Sequence, residues 1–183
     1  MVDKENLTMI FVRNGHNIES GDRRLTSIGY RQVSSTAVRL RDELNLRPDE
    51  ILHSPGLESL QSADVVSRVY EGTLQGWLKS FFNEIQVTQS DSLRTGARDA
   101  FTRNALRDLN PEHKTVFCVA DLDVIRSQFS CLHEEFSFYN VEKKLPHGAA
   151  LIMTFEEASW GDIDRSTMPL NQRIIKPMLE SGL

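Results

Sequence analysis

The segment Met9-Ile10-Phe11-Val12-Arg13-Asn14-Gly15 constrains the fold more than any other in the chain. Four consecutive apolar residues suit a strand buried on both faces. The run turns polar at Arg13, and Gly15 supplies the backbone freedom of a tight turn. A strand of this kind carries a cation to the carboxyl edge of a sheet, where open α/β sheets hold their ligands.

Two later stretches repeat the plan. Ile51-Leu52-His53-Ser54-Pro55 and Val116-Phe117-Cys118-Val119-Ala120-Asp121 are apolar strands that break into polar residues and run on into helical patterns. Between them the chain alternates. Strands are expected over 7–12, 50–53, 115–120 and 149–155, with a short one at Ile85 and Val87. Thr26 is placed to cap a helix over 27–45, whose apolar face includes Ile28, Ala37, Val38, Leu40 and Leu44. Helix two covers 57–70, with Leu57, Leu60, Ala63, Val66 and Val69 at helical spacing. Further helices are expected over 71–83, 97–109 and 122–134, and the tail from Ser159 is expected to wrap the surface. The alternation predicts an α/β domain with a mostly parallel central sheet and helices on both faces. The whole chain, 1–183, reads as one domain with a core of about 7–156 and a tail of about 157–183.

The order and spacing of these stretches, together with Leu25-Thr26-x-x-Gly29-x-x-Gln32 and Ser54-Pro55-x-x-Glu58-x-x-Gln61-x-Ala63, resemble the histidine phosphatase superfamily. That superfamily includes the phosphoglycerate mutases and the small SixA-like phosphohistidine phosphatases. The resemblance implies a phosphoglycerate mutase-like fold and a pocket at the three strand ends. The reactive letters differ. The family's nucleophilic His aligns with Asn14, its second phosphate-binding Arg with Glu58, and its second His with Asp121; only Arg13 of that quartet remains. A scaffold retained around replaced reactive groups implies a pseudophosphatase.

The chemistry gives that implication content. A histidine nucleophile attacks phosphorus through a ring-nitrogen lone pair, whereas the Asn14 amide nitrogen has none available. Arg and His at the other positions would stabilise phosphoryl oxygens, and Glu58 and Asp121 would repel them. A unit charge ~5 Å away at an effective dielectric of ~20 is worth roughly 3 kcal/mol. An Arg13 guanidinium in such a pocket is expected to find an acceptor in Glu58 or Asp121.

His16 is the candidate for a relocated nucleophile, with Arg13 and Arg94 or Arg98 as phosphate holders. His53, Arg94 and His147 are expected at the pocket rim, with a hydrogen-bonded structural histidine as the alternative reading of His53. His113 and His133 read as solvated loop or helix-end residues. No His-x-x-x-His or Cys-x-x-Cys spacing points to a metal, so neither metal nor cofactor is expected. The formal charge of −5 argues against a nucleic-acid footprint. No run approaches the ~20 apolar residues of a membrane span. The two cysteines, Cys118 and Cys131, sit in strand and helix patterns and read as thiols, in keeping with a cytoplasmic chain. The functional expectation is a binding or regulatory module with a protein or small-molecule partner, free of nucleic acid and membrane, its oligomeric state open. Two alternatives stand beside it. One is an active phosphohistidine or phosphomonoester phosphatase using unorthodox residues. The other is a structural subunit with a vestigial pocket.

Overall fold

The computed structural model describes residues 5–18, 23–72, 85–94, 106–132, 145–157, 159–163, 167 and 169–178. Its centre is β1, Glu5–Arg13, which contains the apolar run and begins two residues earlier than the pattern indicates. Alternation splits its side chains between two cores. Leu7, Met9 and Phe11 enter one, and Ile10 and Val12 the other.

The remaining elements follow in order: α1 (Ser27–Asp42), β2 (Glu50–His53), α2 (Leu57–Glu71), β3 (Gln86–Gln89), β4 (Thr115–Ala120), α3 (Leu122–Leu132), β5 (Ala150–Glu157) and β6 (Asn171–Ile175). They form one sheet in the order β3-β2-β4-β1-β5-β6. The β2–β3, β2–β4 and β1–β4 junctions are parallel; β5 runs antiparallel to both β1 and β6. Helices α1 and α2 cover the Ile10–Val12 face through Val33, Ala37, Leu40, Ala63, Val65, Val66 and Tyr70. Helix α3 covers the other face through Val124 and Ile125. Each fully buried aliphatic side chain contributes about 1.5–3 kcal/mol.

Thr26 caps α1 as expected, its Oγ1 accepting from the Gly29 N–H at 3.1 Å. The helix ends at Asp42 instead of 45. Asn45 takes a left-handed conformation, φ 51°, and the Leu46 N–H closes onto the Leu40 carbonyl. Two expected helix faces are corrected. Ile28 is 53% exposed, and the buried stripe of α1 runs through Gly29, Val33, Thr36, Ala37 and Leu40. Leu57 and Leu60 are exposed, while Glu58, Ser59 and Ser62 face inward. Here tertiary position overrides hydropathy: the first turn of α2 abuts the polar strand ends, so its buried side is polar. The tail is also corrected, since β6 within it is a hydrogen-bonded strand. Most of the helix expected over 71–83 and most of that over 97–109, together with Arg98 and His133, lie outside the described residues.

Among the described residues no helix is long and apolar enough to cross a membrane. Cys118 is a free buried thiol whose pKa burial pushes up to about 12.

Candidate functional site

The carboxyl ends of β1, β2 and β4 meet the amino ends of α1 and α2. Backbone bonds fix the meeting point. The Asn14 N–H donates to the Ala120 carbonyl at 3.0 Å, and the Arg13 N–H to Ala149 at 2.8 Å. The Gly148 N–H reaches both the Arg13 and Asn14 carbonyls. Gly15 and Gly29 let the β1 turn lie directly on α1: a β-carbon on Gly15 would strike the Gly29 carbonyl, and one on Gly29 would strike that of His16. Gln32 Oε1 accepts from the His16 N–H, and Gln61 Oε1 from the Leu25 N–H, both at 2.9 Å. The glycines and glutamines of the sequence pattern thus hold backbone against backbone.

Inside this frame Asn14 is 1% exposed. Its Nδ2 donates to Ser59 Oγ at 2.7 Å and to Asp121 Oδ1 at 3.0 Å. The carboxylate can only accept, so it orients the amide. Asn14 Oδ1 is buried and has no hydrogen-bond partner. Ser59 is held in turn by Ser54, with the hydroxyls 2.6 Å apart.

Glu58 lies in the first turn of α2 and is 5% exposed. Its carboxyl curls back over Gly56 and interacts with its own backbone amide. A carboxylate is favoured at a helix N-terminus. Nevertheless the Glu58 pKa is raised, first by burial and further by the neighbouring Asp121 carboxylate. Arg23, from the loop before α1, stands outside this pair. Its Nη1 lies 4.0 Å from Glu58 Oε1 and 3.9 Å from Asp121 Oδ2, on a side chain 62% exposed. At that distance and exposure it is a screened counter-ion rather than a fork bound to either carboxylate.

Arg13 makes other contacts. Its Nη1 donates to the Leu145 carbonyl at 2.7 Å, and its Nη2 lies 3.3 Å from His147 Nε2. His147 Nδ1 is 3.3 Å from the Asn14 carbonyl. A neutral His147 protonated at Nδ1 satisfies both contacts: it donates to Asn14 and accepts from Arg13. Burial first, then the charge of Arg13, lowers the His147 pKa in agreement with that state. Burial likewise lowers the pKa of Arg13.

His16 is exposed at the mouth, its ring centroid 5.7 Å from that of His147. Its Nδ1 is 3.1 Å from Thr26 Oγ1, a hydroxyl that itself donates to the His16 carbonyl. Thr26 therefore accepts from His16 Nδ1–H, which leaves the lone pair of a neutral ring on Nε2.

The structure brings Asn14, Glu58 and Asp121 together and sets Arg13, His147 and His16 beside them. It does not pair Arg13 with a carboxylate: among the described residues none lies within ion-pairing distance of that guanidinium, and Asp121 acts on it only through space. Strand alternation is the reason. Arg13 continues the Met9–Phe11 series toward the α3 face, whereas Asn14 continues the Ile10–Val12 series toward α2. Two rim positions also change. His53 is 5% exposed, with Nδ1 2.9 Å from the Ser54 carbonyl, so it is a buried histidine satisfied locally. Arg94 turns to Asp91 at 2.9 Å in an exposed pair. Sequence reasoning missed Arg23 and Ser59. Ser59 and Ser62, three apart on the buried side of α2, are a legible signal of a polar inner face; Arg23 in its loop has none. Among the described residues no group of three or more His, Cys, Asp or Glu side chains is placed to hold a metal.

The six-stranded sheet, mostly parallel and flanked by helices, has the phosphoglycerate mutase-like α/β fold. Solved structures of SixA-like proteins share it. One, from Nakamurella multipartitia and assigned to phosphohistidine phosphatase SixA, superposes with a TM-score of 0.71 at 17% identity, covering 96% of this chain and 98% of its own. The protein histidine phosphatase SixA complexed with tungstate gives 0.64 at 14% identity, with 91% and 96% covered. A mycobacterial glucosyl-3-phosphoglycerate phosphatase gives 0.63 at 13% identity, with 94% and 98% covered. No protein-family model matches the sequence, and no curated protein matches it.

Proposed function

We propose that the chain is a catalytically silent histidine phosphatase-fold protein, a pseudophosphatase that works as a binding or regulatory module. Asn14 carries the reading. It stands where the resembling family has its nucleophile, it is buried, and both hydrogens of its amide nitrogen are engaged by Ser59 and Asp121. That nitrogen has no lone pair for phosphorus. Glu58 supports the reading, since its own carboxyl occupies the anion-favouring end of α2. The partner is a protein or small molecule, met in the cytoplasm without nucleic acid, in keeping with the net charge of −5. Incubation with an aryl phosphate or a phosphohistidine peptide is expected to give no turnover above a denatured control.

A second reading, an active phosphatase with His16 as nucleophile, draws on the free Nε2 of that ring. Turnover that disappears in His16→Ala, with the fold intact, would establish it and defeat the first.

A further inference from the structure

The interior of this site holds acceptors that the protein leaves without donors. The Glu58 carboxylate on α2 and the Asp121 carboxylate after β4 stand within reach of each other. Arg23 Nη1 faces both, at 4.0 Å from Glu58 Oε1 and 3.9 Å from Asp121 Oδ2. It marks a cation position between them without a hydrogen bond to either. Asn14 is an independent observation. It is 1% exposed, and its Oδ1 is buried with no hydrogen-bond partner among the described residues. The Nδ2 of the same planar amide donates to Asp121 Oδ1, which sets Oδ1 beside the carboxylates. A buried acceptor left unpaired is costly, and the group that relieves it is a donor.

We propose that this site binds a primary ammonium group, whose N–H donors go to Glu58, Asp121 and Asn14 Oδ1 as Arg23 withdraws. The inference rests on the non-catalytic reading and names its ligand class, opposite in charge to a phosphate. An ammonium carries three donors on one compact atom, one for each of the three acceptor groups. A guanidinium spreads its donors in a plane, and Arg23, the guanidinium at hand, bonds neither carboxylate. A metal ion lacks ligands: among the described residues no group of three or more His, Cys, Asp or Glu side chains is placed to hold one. Arg13 leaves the carboxylates free, since it donates to the Leu145 carbonyl and faces His147. Asn14 Oδ1 is closed to solvent with Arg23 in place, so entry of the ligand requires that side chain to move. Arg23 is 62% exposed on its loop, a screened competitor that is displaced at small cost. Burial first, and then the Asp121 carboxylate, raises the Glu58 pKa, the direction expected of a pair with no cation in contact.

Two probes separate the sources of such a group: n-butylammonium for a small amine, and Nα-acetyl-lysine N-methylamide for the side chain of a polypeptide. Tetramethylammonium, a cation without N–H donors, is the control. NMR titrations at constant ionic strength are run at about pH 7.5, where alkylammonium groups are charged. The side-chain amide signals of Asn14 are the local reporter. Both probes are expected to shift them with a Kd of about 1–10 mM, and tetramethylammonium to bind at least about tenfold more weakly. A lysine model that binds at least as tightly as butylammonium identifies a polypeptide ligand, and the reverse a small amine. Arg23→Ala is expected to tighten binding about two- to fivefold, the range of one exposed ion pair. Glu58→Gln is expected to weaken it at least about tenfold. Asp121→Asn, which keeps an oxygen for the Asn14 amide, has the same expected direction should Glu58→Gln fail to fold. Equal binding of tetramethylammonium, a folded carboxylate variant that binds as wild type does, or an Arg23→Ala protein that binds no more tightly would overturn the site. So would the absence of binding in both wild type and Arg23→Ala, leaving the non-catalytic reading intact. Turnover of an aryl phosphate by wild type would defeat that reading, while the amine titrations stand on their own.

Discussion

The frame of the site and its interior obey different constraints. The frame is backbone packed on backbone: Gly15 on Gly29, with Gln32 and Gln61 side chains clasping main-chain N–H groups of the loop. The interior is side chain on side chain: Asn14 on Ser59 and Asp121, with Glu58 folded on its own helix end. Changing a frame residue forces backbone to move. Changing an interior residue alters charge and lone pairs in a shape that stays put. Geometry and chemistry of the site are therefore separable here.

The largest effect is expected in the frame. Gly29→Ala drives a β-carbon into the His16 carbonyl, with backbone on both sides and no flexible side chain to yield. A loss of roughly 3 kcal/mol or more is expected, read as a lowered urea midpoint. A Gly29→Ala protein as stable as wild type would break the comparison. The interior makes the opposite claim. Asn14→His, Glu58→Arg and Asp121→His together should leave the fold in place and create vanadate binding that wild type lacks. The single changes should do little, because each leaves a repelling carboxylate or no ring at position 14. Calorimetry of the triple variant checks this, and a well-folded triple variant that ignores vanadate would show that frame and interior are coupled.

Thr26→Ala tests the border between the two regions. It removes the α1 cap and the acceptor of His16 Nδ1–H. A loss of about 1 kcal/mol is expected from the cap, read by chemical denaturation.

The smallest effects are in pH dependence, where buried Glu58 and half-buried His147 oppose each other. The folded-state pKa of Glu58 is raised, so the folded chain binds more protons than the unfolded one between the ordinary carboxyl value and the raised one. Stability falls as pH rises through that window. Glu58→Gln should therefore resist urea better than wild type at neutral pH and lose that advantage in acid. The folded-state pKa of His147 is lowered, so its contribution is present at neutral pH and lost as pH falls from the ordinary imidazole value through the lowered one. His147→Asn should flatten that part of the profile. Urea midpoints measured across pH for wild type and both variants would show slopes of opposite sign, and parallel profiles would remove the electrostatic account of the interior.

Much of this was legible in the chain itself. The apolar run ending at Arg13, the Thr26 cap and the polar break after Ile51-Leu52-His53 are local signals, readable because a strand, a cap and a turn are each decided within a few residues. The letters at positions 14, 58 and 121, through the family resemblance alone, gave the expectation of a site with no imidazole at 14 and with two carboxylates. What the sequence alone did not determine is which of these groups meet. Arg13 and Asn14 are neighbours in the chain, yet strand alternation sends one to Leu145 and His147 and the other to Ser59 and Asp121. Arg23 reaches Glu58 and Asp121 from a loop that has no periodic pattern to place it. The antiparallel seat of β5 and the addition of β6 arise from pairing across the sheet. All of these depend on contacts between residues far apart in sequence, and only closure of the tertiary structure decides them.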